Sequence, residues 1–352
     1  NIKLHRCLLG GGFSRRSVNS MDFVEDAAWI SGELRQPVKV IWDRHDDIGN
    51  GHFRSLSAHF LRAAVDNQGR IQAWHHRVAC EDPLKHFEPL LYKNWNGIPL
   101  IAMTGAEHAN FDGSALAPAY DLNKRLVEYV EVEAGIRVYA MRGVGSLPNT
   151  FAIESFLDEL AERYQRDPID LRLELLHRSQ RAQTVLKTVA EMAGWTRPRK
   201  TERGTGLAYG LHGGALMASI VEISVDKQSG QINVHDVWIC ADVGIVIQPE
   251  NVKAQLQGAA IYGLSNALME SITIKQGVVQ QSNFHNYRMM RMSETPKIHV
   301  RLMTNDQRPG GVGELGAIVT PAALANAFAR LTNVRLHHMP FTMERVRKVL
   351  TS

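Results

Sequence analysis

Three glycine-rich loops, each carrying one charged residue and each followed by helical patterning, constrain this chain more than any other feature of its sequence. They are Gly10-Gly11-Gly12-Phe13-Ser14-Arg15, Arg142-Gly143-Val144-Gly145-Ser146 and Gly311-Val312-Gly313-Glu314-Leu315-Gly316. Glycine lets backbone N–H groups approach a ligand closely, and a helix N-terminus adds partial positive charge, so such loops suit anionic, phosphate-bearing groups. Taken alone, any one of them reads as a tight turn. The first does not follow G-x-G-x-x-G spacing and has no adequate strand before it, and neither G-x-S-x-G nor a Walker loop occurs. Dinucleotide-fold, P-loop and nucleophile-elbow readings are therefore disfavoured.

The 352 residues suffice for about two domains with real cores. With 44% hydrophobic and 22% charged residues the chain is an ordinary globular one. Its net charge of +4 is spread singly, which points away from nucleic acid. Cys7, Cys80 and Cys240 are odd in number and far apart, so they form neither a disulfide framework nor a CxxC metal site, and an iron-sulfur cluster belongs on another chain. The 15 histidines show no H-E-x-x-H spacing and read mostly as surface or core residues. No uninterrupted apolar run approaches the ~18 to 20 residues that span a bilayer. The opening at Asn1 runs straight into the first glycine loop, and the expectation is the carboxy-terminal part of a longer subunit.

Apolar spacing predicts a helix over residues 22–34, a buried strand over 38–42, and a hairpin turned at Asp66-Asn67-Gln68-Gly69 with 71–78 as its return strand. Residues 81–120 lack periodicity and read as a loop surface. A strand over 136–140 and helices over 151–164 and 170–176 complete a first half, with the boundary near Trp195. The second half contains a glycine-rich opening over 204–214, a hairpin turned at Asp226 to Gly230, and a long helix over 249–269. The third glycine loop is expected to run into a helix that begins at Thr320-Pro321, with Thr320 as N-cap. The fold class is α+β. Glu314 stands alone among small residues, and reads either as a helix-start charge facing solvent or as a functional carboxylate.

The loops also occur in a telling order. Residues 10–16 are followed by Pro37-Val38-Lys39-Val40-Ile41-Trp42-Asp43-Arg44, Met141-Arg142-Gly143-Val144-Gly145, and the stretch from Glu154 to Ala161. Asp242-Val243-Gly244, Gln255-Leu256-Gln257-Gly258 and the third loop then complete the series. In combination these motifs resemble the molybdopterin-binding subunit of the xanthine oxidase family over nearly the whole chain. Residues 10–16, 282–287 and 336–341 look most like the isoquinoline 1-oxidoreductase beta subunits and related aldehyde dehydrogenases.

The resemblance implies two molybdopterin-binding α+β halves with mixed sheets, hairpins and packed helices, residues 1–195 (its amino-terminal portion missing) and 196–352. It implies a molybdenum-pterin cofactor, as molybdopterin or molybdopterin cytosine dinucleotide, and an oxidoreductase that hydroxylates an N-heterocycle or oxidises an aldehyde with water-derived oxygen. Glu314 is then the general base, which burial and an anionic metal centre would raise in pKa. Gly11, Gly12, Phe13, Arg142, Gly143 and Gly313 hold the cofactor, and Arg54 and Val144 face a small-molecule substrate. No side chain is assigned as a metal ligand. The implied partners are an amino-terminal half of the same subunit, an iron-sulfur subunit carrying 2Fe-2S clusters, and a cytochrome as a further candidate. Ser14 replaces a usual glycine, Val144 replaces an aromatic wall residue, and the glutamate that xanthine oxidases carry after the first loop is absent, so xanthine is a poor substrate candidate. A non-catalytic assembly half remains the alternative; the intact Glu314, Arg142, Gly11 and Gly12 favour the enzyme.

Overall fold

Two hairpins, each extended by a parallel third strand, organise the chain. The computed structural model describes residues 2–8, 10–12, 21–94, 97, 100–106, 120–122, 124–198 and 200–351. Helices α1 (Asp22–Leu34) and α2 (Arg44–Asn50) lead into β1 (Ser57–Val65) and β2 (Ile71–Cys80). Short helices α3 (Leu84–Phe87), α4 (Pro89–Asn94) and α5 (Leu100–Met103) precede β3 (Arg125–Glu131). Helices α6 (Ser146–Arg163), α7 (Pro168–Leu175) and α8 (Gln180–Ala193) follow. Then come β4 (Gly204–His212), β5 (Ala215–Asp226), β6 (Gln231–Asp242), α9 (Pro249–Leu268), β7 (Ile274–Lys275), β8 (Val278–Val279), β9 (Lys297–Met303), α10 (Leu315–Thr332) and α11 (Met343–Thr351).

The sheet β4-β5-β6-β9 is covered on both faces. Ala208, Met217, Val221, Val237, Ile239 and Ala241 pack towards α9 and α10, while Leu207, Tyr209, Leu216, Ala218, Ile220 and Cys240 pack with α6, α7 and α8. A strand buried on both sides shows a near-continuous run of small and apolar residues, which is what Gly204 to Tyr209 and Ala215 to Val221 present. Helix α10 lies across β4 and β5 against α6 and α9. Its composition would suit a membrane span, yet 83% of it is buried inside the protein.

The packing between the two sheets is held by a buried ion pair. Glu154 of α6 accepts from Arg172 Nε of α7 at 2.9 Å, from the Tyr120 hydroxyl at 2.6 Å and from the Tyr209 backbone at 2.7 Å. Every lone pair so used offsets part of the cost of burying the charge. The core therefore runs across the division expected near residue 195, and α8, on the amino-terminal side of it, packs on β5 and β6.

The helices expected over 22–34, 151–164, 170–176 and 249–269 are present as α1, α6, α7 and α9, and both hairpins form. Among the described residues, 38–42 alternate half-buried with exposed positions but pair with no strand, and 136–140 contribute only a bridge from Val138 to Phe53. The helix after the third glycine loop, α10, begins at Leu315, not Thr320, so Pro321 lies inside it and Glu314 is its first flanking residue. Past the first turn the proline gives up its own backbone hydrogen bond, and the buried run from Leu315 to Ala329 outweighs that loss.

Candidate active site

Glu314 is placed by the junction of loop and helix at the start of α10, but it does not cap that helix with its side chain. Its carboxylate instead meets His212 Nε2, at the end of β4, at 2.9 Å. The Gly143 backbone N–H also donates to it. That N–H is presented by a turn in which Gly143 has φ 92°, a conformation a side chain would strain, and Val144 follows at φ 27°. The turn closes with Val144 N donating to Met141 O at 2.6 Å and feeds directly into α6.

Two arginines lock this turn in place. The bridge between Phe53 and Val138 brings Arg54 alongside it, where Nη2 donates to Arg142 O at 2.7 Å and Nη1 to Val144 O at 3.2 Å. Arg142 itself is buried. Its Nε donates to Gly313 O, its Nη2 donates to Gln255 Oε1 at 3.0 Å, and its guanidinium lies 5.9 Å from the centre of the Tyr262 ring. Arg142 thus joins the second glycine loop to the third and to α9.

Burial pushes the Glu314 carboxyl up, but the His212 hydrogen bond and charge, the Gly143 N–H and the Arg54 charge outweigh it and hold its pKa below the usual carboxylate value. The sequence reading expects a raised value beside an anionic metal centre; the chain's own groups act in the opposite direction. Glu314 is not the solvent-facing helix-start charge, since its side chain is 23% exposed and paired.

Arg54, Arg142, Gly143, Val144, Gly313 and Glu314 therefore come together. Gly11 is exposed and Gly12 half-buried, outside these contacts, and Phe13 lies outside the described residues, as does Ser14. Sequence reasoning missed His212, Ser146, Gln255 and Tyr262 as members of the cluster. His212 had a signal, because Gly210-Leu211-His212-Gly213-Gly214 is a further glycine cluster holding one polar side chain.

The fold is that of molybdenum hydroxylase subunits: quinoline 2-oxidoreductase from Pseudomonas putida 86 superposes with a TM-score of 0.81 at 13% identity, over 98% of this chain and 68% of that one. Molybdopterin cofactor-binding domain families match residues 1–84 and 179–296. The chain belongs to the molybdopterin-binding subunits of the xanthine oxidase family. It is 39% identical to the isoquinoline 1-oxidoreductase subunit beta of Brevundimonas diminuta, over 96% of this chain and 42% of the relative. It is 31% identical to a membrane-bound aldehyde dehydrogenase (pyrroloquinoline-quinone) of Gluconacetobacter polyoxogenes, over 96% of this chain and 46% of that protein. The chain spans less than half the length of either relative.

Proposed function

We propose that this chain is the molybdenum-pterin-binding component of an oxidoreductase that hydroxylates an N-heterocycle, or oxidises an aldehyde, with oxygen from water. The observation that carries this reading is an ionised, half-buried carboxylate beside open space: a side chain at Gly313 would meet no atom within 4 Å, while Glu314 next to it is held by His212 and Gly143. A cradle of that kind, backed by two buried or half-buried arginines, fits an anionic group carried on a pterin. When bound, the group supplies the two-electron acceptor that none of these side chains provides. The pterin is held as molybdopterin or its cytosine dinucleotide.

In the net reaction a substrate C–H and one water become C–OH with release of two electrons and two protons. Glu314, kept anionic by its neighbours, accepts a proton from the water-derived oxygen. Gly143 N–H fixes the carboxylate, and Arg142 fixes the Gly313 carbonyl so that the open side of the loop keeps its shape. Arg54 and Val144 face the substrate, with a cation to meet a ring nitrogen or carbonyl oxygen and a small apolar wall that leaves room for a fused ring. The electrons pass to 2Fe-2S clusters on a partner subunit, and from there to a further acceptor such as a cytochrome. Residues 1–195 and 196–352 act as two cofactor-binding halves, and the amino-terminal half of the subunit covers α1. Helix α1 buries none of its residues, and its Trp29 is 70% exposed.

Glu314→Gln in the native complex tests the reading. Molybdenum content, measured by metal analysis, should persist while kcat falls ~10²- to 10⁴-fold, the usual contribution of a general base. Near-wild-type kcat with full molybdenum would reduce Glu314 to a structural charge, and a native complex that holds a quinone and no molybdenum would overturn the cofactor assignment.

A further inference from the structure

The strand β4 ends in a two-residue turn, Gly213-Gly214, with φ 55° and 79°, and the register pairs His212 with Ala215 across it. Two successive positive φ values are those of a tight hairpin turn that only glycine-like residues adopt readily, so the turn fixes where the strand stops and where His212 stands. The same turn holds the third glycine loop, because Gly311 N donates to Gly213 O at 2.9 Å. Residues 212 and 314 are thus carried on two loops stitched to each other.

His212 makes a second hydrogen bond. Its Nδ1 lies 3.1 Å from Ser146 Oγ, at the first residue of α6 and in the same turn that presents Gly143 N–H to Glu314. Ser146 is fully buried, which rules it out as a nucleophile open to substrate and leaves it as an orienting group. The chain Glu314–His212–Ser146 therefore joins the starts of α10 and α6 and the end of β4. Beside the anionic carboxylate a neutral imidazole donates from Nε2 and accepts at Nδ1 from the serine; beside a protonated carboxyl the other tautomer accepts at Nε2 and donates from Nδ1 to the serine; the imidazolium donates from both nitrogens. The serine hydroxyl rotates to suit each state, and no backbone atom has to move. The imidazole is 21% exposed, so a proton placed on it has a way to solvent.

We propose that His212 is the positioning residue of the base: it aims the Glu314 carboxylate and takes on the proton that Glu314 has removed. The inference rests on the reading of Glu314 as the general base. In the step itself the imidazole carries its proton on Nδ1, donated to Ser146 Oγ, and Nε2 accepts: the O–H bond of the Glu314 carboxyl breaks and an N–H bond forms at Nε2, returning Glu314 to its anionic form, and the imidazolium then releases a proton to water. Among the described residues, the other charged and titratable groups facing this point are Arg54, Arg142 and, against Arg142, Tyr262. Burial pushes the Tyr262 phenol up, and a guanidinium is not a group that gives up its proton in proteins, so these neighbours set a constant field while the imidazole moves the proton.

His212→Gln keeps the size of the side chain and one N–H donor but cannot carry a proton. In the assembled complex it should lower kcat about ten- to a hundredfold, the scale seen for partners that orient a reacting group, with KM little changed. The acid limb of the kcat profile should move to higher pH, since the carboxylate loses the neighbour that holds its pKa down. Added imidazole should restore part of kcat in His212→Ala.

A second readout needs no turnover, and its wild-type arm needs no variant. Carbodiimide coupling of Glu314 in the molybdenum-free wild-type complex, followed by mass spectrometry of its peptide, should have its pH midpoint below the ~4.3 of an ordinary glutamate, and His212→Gln should raise that midpoint. A wild-type midpoint above the ordinary value, or a limb and midpoint indifferent to His212→Gln, would overturn the proposal. Full activity in Glu314→Gln would remove the base assignment instead, while the coupling experiment would still report whether the pair exists.

Discussion

The first and third glycine loops look alike in sequence and are built differently. The third opens α10, whose residues from Leu315 to Ala329 are all buried, and a side chain at Gly316 would come within 2.6 Å of Ala260 N and 2.7 Å of Leu256 O on α9. Gly10, in the first loop, has no atom within 4 Å of where a side chain would start, and α1 behind it buries nothing. One loop has glycine because the chain's own backbone crowds it. The other has glycine without any such demand from the described residues. A shared motif thus marks two situations: a loop whose shape is fixed by the local core, and a loop whose role must come from what binds or covers it.

The comparison breaks most sharply at the core that supports α10. Arg172 is fully buried, bonds Glu154 through Nε, and donates to Pro168 O at 3.0 Å and Glu154 O at 3.0 Å; Asn326 of α10 donates to the same Glu154 carbonyl at 3.2 Å. Arg172→Met should cost about 3–5 kcal/mol, because it strands a buried carboxylate. Denaturant unfolding measures this, and a cost under about 1 kcal/mol would mean that the network does not hold the third loop's helix. A smaller effect is expected at the helix contact itself. Gly316→Ala should cost about 1–3 kcal/mol, since the methyl meets backbone atoms that cannot rotate away. An unchanged unfolding midpoint would show that α9 and α10 have slack.

The same contrast governs what could be read beforehand. Amphipathic or capped segments announced themselves: α1, α6, α9 and the two hairpins with their Asp-to-Gly turns rest on spacing within a single window. Strands β3 and β9 did not, because each is specified by a parallel partner far along the chain, Trp74 opposite Arg125 and Asp236 opposite Lys297. Strand β4 hid because both its faces are covered, which erases alternation. Helix α8 was missed although its signals were present, with Ser179 accepting from Ala182 N as N-cap and Gly194 at φ 59° as C-cap. The start of α10 was misplaced because Pro321 resembles a first-turn proline, whereas the buried contact of Gly316 with α9 begins the helix earlier. At the site, Glu314 and Arg142 stood out as lone charges among glycines. His212 did not, since its meaning depends on a hairpin tip being tied to the third loop by Gly213 and Gly311.

The smallest expected effect tests the other side of the comparison. Gly10→Ala places a methyl where the described residues leave open space, so no contact opposes it. Alanine also restricts the unfolded chain more than glycine does, which favours the folded state by up to about 1 kcal/mol where the backbone is compatible. The two considerations together predict a change in unfolding free energy within about 0.5 kcal/mol of zero or slightly stabilising, against the loss expected at Gly316. Paired unfolding curves of the two variants in the assembled complex measure the difference directly. Equal losses at both positions would mean that another part of the assembly presses on the first loop as closely as α9 presses on the third, and the two loops would then differ only in whose backbone supplies the crowding.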